Sequence, residues 1–83
     1  MALDYSRLRS LTVRELISAL IRDGFALDRQ AGSHQLYLHP DGRRVTVSFH
    51  RPGDTFEVKT LKAMLELQAR WTEKDLVRLK LLK

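Results

Sequence analysis

The sequence predicts an α+β two-layer sandwich, with helices laid on one face of a three-stranded antiparallel sheet. Three observations predict it. A capped helical stripe stands near the start, three short segments of alternating hydrophobicity follow between turn residues, and two further helical stripes close the chain. The 83 residues allow one domain with a modest core. Residues 1–10 show no period and read as a short lead-in, with Arg7, Arg9 and the anchors Tyr5 and Leu8; residues 11–83 read as the domain.

The first helix begins at Thr12. Thr12-Val13-Arg14-Glu15 has the capping-box spacing, a hydroxyl at the N-cap and a carboxylate three residues on. Val13, Leu16, Ile17, Leu20 and Ile21 then mark one helical face. Gly24 predicts the stop, because it takes the left-handed conformation that closes a helix, and Phe25 is placed to fold back on Leu20.

Three strands follow. Residues 25–30 alternate through Phe25, Leu27 and Arg29, and Ala31-Gly32-Ser33 reads as a turn. Residues 34–39 alternate with Leu36 and Leu38 on one parity, and residues 44–49 with Val45, Val47 and Phe49. Pro40-Asp41-Gly42-Arg43 between them predicts a tight hairpin, since Asp-Gly suits positive φ. A two-residue loop sets Leu38 opposite Val45, Leu36 opposite Val47 and His34 opposite Phe49, all on one dry face. Gln35, Tyr37, His39, Arg44, Thr46 and Ser48 then form the wet face.

Arg51-Pro52-Gly53-Asp54 reads as a loop. A second helix is expected over about 57–70, with Val58, Leu61, Met64, Leu65 and Gln68 as its stripe. Thr72 with Asp75 predicts a capped third helix that turns Leu76, Leu79 and Leu82 inward, and Trp71 belongs in the joint. Double-stranded-RNA-binding domains share this order of elements, which alone establishes no function.

Composition narrows the classes. There is no cysteine, which excludes disulfides and thiolate metal sites. No apolar run is long enough for a membrane span or a signal peptide, so a cytoplasmic protein is expected. A net charge of +5 favours a polyanionic or acidic partner. The basic tail of Arg70, Lys74, Arg78, Lys80 and Lys83 reads first as a solvated helix face, partly offset by Glu73 and Asp75.

Of the three histidines, His34 holds the most interest. Gly32 and Ser33 leave the backbone open just before it, so a phosphate can approach. Metal-free RNA cleavage needs a group that takes a proton from the ribose 2′-hydroxyl and one that gives a proton to the leaving 5′-oxygen; imidazole suits both. On the residues alone the rim-histidine reading, a side chain capping the core, is the favoured one, since His34 shares parity with Leu36 and Leu38. His50 ends the partner strand at the same end of the sheet, on the opposite face by parity, and is a candidate assisting group. Arg29 and Arg51 lie near that end as candidate phosphate clamps, with Lys59 beside them. His39 reads as an exposed turn residue, and Tyr37 as a β-former that could stack on a base. The histidine spacing matches no metal-ligand pattern, so no metal and no cofactor are expected.

The series Arg14-Glu15-Leu16-Ile17-Ser18-Ala19-Leu20, Asp23-Gly24-Phe25, Arg29-Gln30-Ala31-Gly32-Ser33-His34, Val45-Thr46-Val47-Ser48-Phe49-His50 and Thr60-Leu61-Lys62-Ala63-Met64-Leu65 resembles the HicA (YcfA-like) mRNA interferase toxins, over roughly residues 11–70. The resemblance implies a double-stranded-RNA-binding-like fold, cleavage of mRNA without translation, and inhibition by a HicB-like antitoxin, as a monomer alone or a heteromer with that antitoxin. It implies His34, in Gly32-Ser33-His34, as the catalytic histidine; Ser33 or His50 as assisting groups, and Arg29, Gly32, Arg51 and Lys59 at the RNA phosphate, are expected from the residues themselves. Ser48 stands where many relatives have proline, and Gln35 where a second histidine would follow; the latter removes a helper but not the catalytic position. A non-catalytic RNA-binding module and an inactive toxin that only binds its antitoxin are the alternatives.

Overall fold

A computed structural model of the chain describes residues 8 and 10–81. Helix α1 (Val13–Arg22) leads to strands β1 (Ala26–Ala31), β2 (His34–Leu38) and β3 (Arg44–Ser48), then helix α2 (Val58–Lys62), a π-helical continuation (Ala63–Gln68) and helix α3 (Glu73–Arg78). The sheet runs in the order β1-β2-β3, antiparallel throughout. The α+β architecture expected from the sequence is the one observed.

The capping predictions hold. Thr12 Oγ1 accepts the Glu15 N–H at 3.2 Å, and the Glu15 carboxylate accepts the Thr12 N–H at 2.9 Å. Those bonds also hold the Glu15 carboxyl below its ordinary pKa. Thr72 and Asp75 repeat the arrangement at α3. Such a cap is typically worth about 1 kcal/mol.

At the C-terminus of α1 the Phe25 N–H donates to the Leu20 carbonyl at 2.9 Å and the Gly24 N–H to Ile21 at 3.1 Å, which is the Schellman pattern. Gly24 has φ +105°, and a Cβ there would lie 2.9 Å from His39 Nε2. Gly24→Ala therefore meets both a backbone and a packing penalty. A loss of about 2 kcal/mol or more is expected in denaturant unfolding. A change below about 0.5 kcal/mol would show that the turn relaxes freely.

The hairpin corrects the predicted register. His39 N–H donates to the Arg43 carbonyl and Gly42 N–H to the His39 carbonyl, both at 2.9 Å, so the loop is Pro40-Asp41-Gly42, three residues rather than two. Gly42 closes it at φ +97°, as three-residue hairpins require. Tyr37 therefore faces Val45, Gln35 faces Val47, Leu36 faces Thr46 and His34 faces Ser48. A shift of one residue turns a strand over. Val45 and Val47 point inward as expected, but their partners are Tyr37 and Gln35. Tyr37 is buried, and its hydroxyl is 2.8 Å from Gln35 Oε1, which removes the penalty for a buried phenol. Leu36, Leu38 and His34 lie on the open face with Arg44, Thr46 and Ser48.

Strand β1 holds a second departure. Leu27 pairs with Tyr37, but Arg29, not Asp28, pairs with Leu36. Asp28 is thus the extra residue of a bulge, and the parity reverses beyond it. Arg29 and Ala31 join His34 on the open face instead of sharing a side with Leu27.

The core lies between the inner face of the sheet and the helices. Leu16, Leu20, Val45, Val47, Leu61, Leu65 and Leu76 are its most fully buried members. Leu8 anchors the lead-in there, while Tyr5, Arg7, Arg9, Leu82 and Lys83 lie outside the described residues. Val58, expected in the stripe of the second helix, is exposed. The widened π turn was not anticipated. Its Ala69 N–H reaches back to Met64 at 2.8 Å, five residues away. This brings Gln68 to the free edge of β3, where its Oε1 accepts the Thr46 N–H at 2.9 Å.

The hairpin tip is stitched to the helices by charge. Asp23, at the C-cap of α1, accepts the Trp71 indole N–H at 2.8 Å and pairs with Arg78 at 2.7 Å and Arg43 at 3.2 Å. Arg43 also donates to the Ala69 carbonyl at 2.7 Å and to Asp41 at 2.7 Å, and it lies over the Phe25 ring. Arg78 is thus not merely part of a solvated face. His39, expected exposed, is half-buried here. Its Nε2 is 2.7 Å from the Asp23 carbonyl, its Nδ1 accepts the Asp41 N–H, and its ring meets Phe25 edge-on. Nδ1 also lies 3.0 Å from the Asp41 carboxylate.

Candidate active site

His34 opens β2, immediately after the turn at Gly32-Ser33. Gly32 makes that turn at φ +58°, and open space surrounds the position where a Cβ would stand. Across the strands His34 faces Ala31 on one side and Ser48 on the other. The side chain is exposed and makes no hydrogen bond or ion pair among the described residues. The rim-histidine reading fails here, because the face that His34 shares with Leu36 and Leu38 is the open one. A histidine used to satisfy the core would be engaged, as His39 is.

The elements around His34 converge at one end of the molecule. The Phe49 N–H donates to the Ser33 carbonyl at 3.0 Å, tying the end of β3 to the turn before His34. Phe49 packs against the core. β3 ends at Ser48 and His50 follows in the bend after it, so the strand parity that set it on the opposite face does not extend to it. The chain then turns through Arg51, Pro52 and Gly53. The Asp54 and Pro52 carbonyls accept the Val13 and Arg14 N–H groups at 2.8 and 3.0 Å, and Thr55 bridges Thr12. The N-termini of α1 and α2, the Gly32 turn and the end of β3 thus share one end, opposite the Asp23 network.

Of the sequence-predicted residues, His34, Ser33, Gly32, His50 and Arg51 are brought to this end by hydrogen bonding and register. Arg29 reaches the same open face through the bulge, next to Asp28 at 3.4 Å, an exposed pair of little energetic weight. Lys59 stands at the start of α2, at this end by topology alone. Two cations were not singled out as site residues: Arg14 in the first turn of α1, and Arg44 on the open face, where the sequence had already set it.

The two ends differ in charge balance. At the hairpin tip Arg43 and Arg78 are paired with Asp23, Asp41 and Asp75. At the His34 end Arg14, Arg51 and Lys59 carry no ion pair among the described residues, while the nearby Glu15 and Asp54 are spent on backbone N–H groups. Arg14, Arg51 and Lys59 are thus left without a carboxylate partner among the described residues at the His34 end. Among the described residues no group of three His, Cys, Asp or Glu could hold a metal ion, and no helix is long and apolar enough to cross a membrane.

Comparison with known proteins identifies a family. The model of a family described as "HicA toxin of bacterial toxin-antitoxin" covers residues 13–69, more than half of the chain. No curated protein matches.

Proposed function

The chain belongs to the HicA toxin family of bacterial toxin–antitoxin systems, and from that premise we propose that it is an endoribonuclease that cuts mRNA with His34 as general acid–base group. The observation that carries this reading is the free, exposed imidazole of His34, at the end of the sheet where Arg51 and Lys59 also carry no ion pair among the described residues. The ribose 2′-oxygen attacks the adjacent phosphorus as its proton leaves, the bond to the 5′-oxygen breaks, and that oxygen is protonated. The products are a 2′,3′-cyclic phosphate and a 5′-hydroxyl. His34 serves one of the two proton transfers, and His50 or Ser33 assists. Arg29 and Arg51 hold the phosphate oxygens, with Lys59 extending the positive surface, and no bulky side chain at Gly32 obstructs the backbone. A HicB-like antitoxin is the natural partner of such a toxin.

Degradation of an end-labelled mRNA in EDTA tests this reading. Cleavage that leaves 5′-hydroxyl ends is the expected result. Products with 5′-phosphates and a strict requirement for a divalent metal would sink the mechanism. Single-stranded RNA should also bind with a steep salt dependence, and Arg29→Ala should shallow the log–log slope by roughly 0.7, the share of one phosphate contact. An unchanged slope would remove Arg29 from the phosphate site.

A further inference from the structure

The turn that carries His50 and Arg51 is held by one carboxylate. Asp54 Oδ2 accepts the Arg51 N–H at 3.0 Å and the His50 N–H at 3.3 Å, and the Asp54 N–H returns to the Arg51 carbonyl at 3.0 Å. The Asp54 carbonyl accepts the Val13 N–H at 2.8 Å, which docks the turn on the first residues of α1. On its other side Phe49 bonds to Ser33, beside His34. Asp54 therefore connects a rigid helix to two residues whose own side chains are exposed and unengaged. Side chains with nothing to hold their tips take their placement from the backbone beneath them.

We propose that Asp54 is a positioning residue for RNA. Its carboxylate fixes the backbone of His50 and Arg51 so that their side chains meet the RNA phosphate next to His34. The inference rests on the ribonuclease reading of this end of the sheet. Asp54 itself touches no RNA. Asparagine keeps an acceptor oxygen of the same reach, whereas alanine leaves both N–H groups without one.

The test uses the full chain as Asp54→Ala and Asp54→Asn. Cleavage is measured with His34 present, and affinity for a short single-stranded RNA with His34→Ala. Asp54→Ala should raise the Kd about tenfold and lower kcat/KM by between about tenfold and a hundredfold, mostly through KM, as small misplacements of binding groups do. Amide exchange at His50 and Arg51 should quicken. Asp54→Asn should restore most of each. Added to the His50→Ala/Arg51→Ala pair, Asp54→Ala should cost little more, a non-additivity that a merely structural role would not produce.

Equal losses in the two variants, unchanged exchange at both amides, or full additivity with the His50→Ala/Arg51→Ala pair would overturn the proposal. If Asp54→Ala does not fold, Asp54→Leu, which likewise carries no acceptor, takes its place with the same expectations. Should His34→Ala cleave as fast as the wild type, the ribonuclease reading falls; RNA affinity and amide exchange still decide the role of Asp54.

Discussion

Alanine in place of His34 is expected to slow RNA cleavage by between about a hundredfold and ten-thousandfold, the range that a positioned acid–base group supplies. Stability should move by less than about 0.5 kcal/mol, because an exposed side chain without partners contributes little to folding. The two expectations together separate a catalytic role from a structural one. A histidine that capped the core would lower the unfolding temperature and the activity together. His39 provides the contrast within the same chain: its ring bonds to Asp23 and packs on Phe25, so His39→Ala should destabilise the protein while leaving cleavage by the folded fraction intact.

Rates should be taken under single-turnover conditions, so that kcat reports the chemical step rather than product release. A loss in kcat with little change in KM is the outcome for a proton-transfer group. A rise in KM alone would make His34 a binding residue. Equal cleavage by wild type and His34→Ala would exclude it altogether and send attention to His50. That residue is expected to matter less, since its position depends on a turn rather than on a strand of the sheet.

The helix boundaries were legible because the signals are local. Thr12 with Glu15, Thr72 with Asp75 and Gly24 with Phe25 each act within a few residues, and each appears as expected. The register of the hairpin was not legible in the same way. Asp41-Gly42 fits a two-residue turn as well as the end of a three-residue one, and apolar count favoured turning Leu36 and Leu38 inward. What decided otherwise lies far along the chain: Arg43 reaches Asp23 and Ala69, His39 docks on Gly24, and Tyr37 brings its own hydroxyl partner. The bulge at Asp28 was hidden for a related reason, since nothing in Leu27-Asp28-Arg29 marks the extra residue.

The choice of His34 did not depend on the register, because it rested on Gly32-Ser33-His34 and not on the face assigned to it. The assignment of faces mattered for its neighbours. The corrected register and the bulge put Arg29, Arg44 and His34 on one open surface, where the expected pairing had left Arg29 and Arg44 on different sides. Asp54 could not be found from sequence, because its acceptor role depends on the path of the turn after β3.

The second large effect is expected at Asp23, at the opposite end of the molecule. Its carboxylate is only 9% exposed and serves Trp71, Arg43 and Arg78 together. Asp23→Ala would leave the partly buried Arg43 guanidinium with only Asp41 and the Ala69 carbonyl, and would free the Trp71 N–H. Breaking a fully buried pair costs roughly 3–5 kcal/mol, and the remaining partners of Arg43 and the half-exposed Arg78 bring the expected loss down to about 2–3 kcal/mol. For a domain of this size that is a fall of roughly 10–20 °C in the unfolding temperature. The carboxyl titrates below the ordinary aspartate range: burial pushes it upward, but hydrogen bonds from Trp71 and Arg78 and the charges of Arg43 and Arg78 outweigh burial. A pKa lowered in the folded state gives stability that is present above the unfolded value, about 3.9, and is lost as the pH falls through the folded value. Wild-type stability should therefore decline below about pH 4. Asp23→Asn, which keeps an acceptor for Trp71 but no charge, should show less of that decline and lie between wild type and Asp23→Ala at neutral pH. Circular dichroism as a function of temperature and pH gives both quantities, and Trp71, the sole tryptophan, reports the site by its emission. A loss below about 1 kcal/mol in Asp23→Ala, or an acid limb of unchanged steepness in Asp23→Asn, would mean that apolar packing around Phe25 and Trp71 holds the hairpin without the charge network. Cleavage by Asp23→Asn, measured well below its unfolding temperature, should match the wild type, because every link between Asp23 and the His34 end runs through the rigid sheet rather than through the groups that meet RNA.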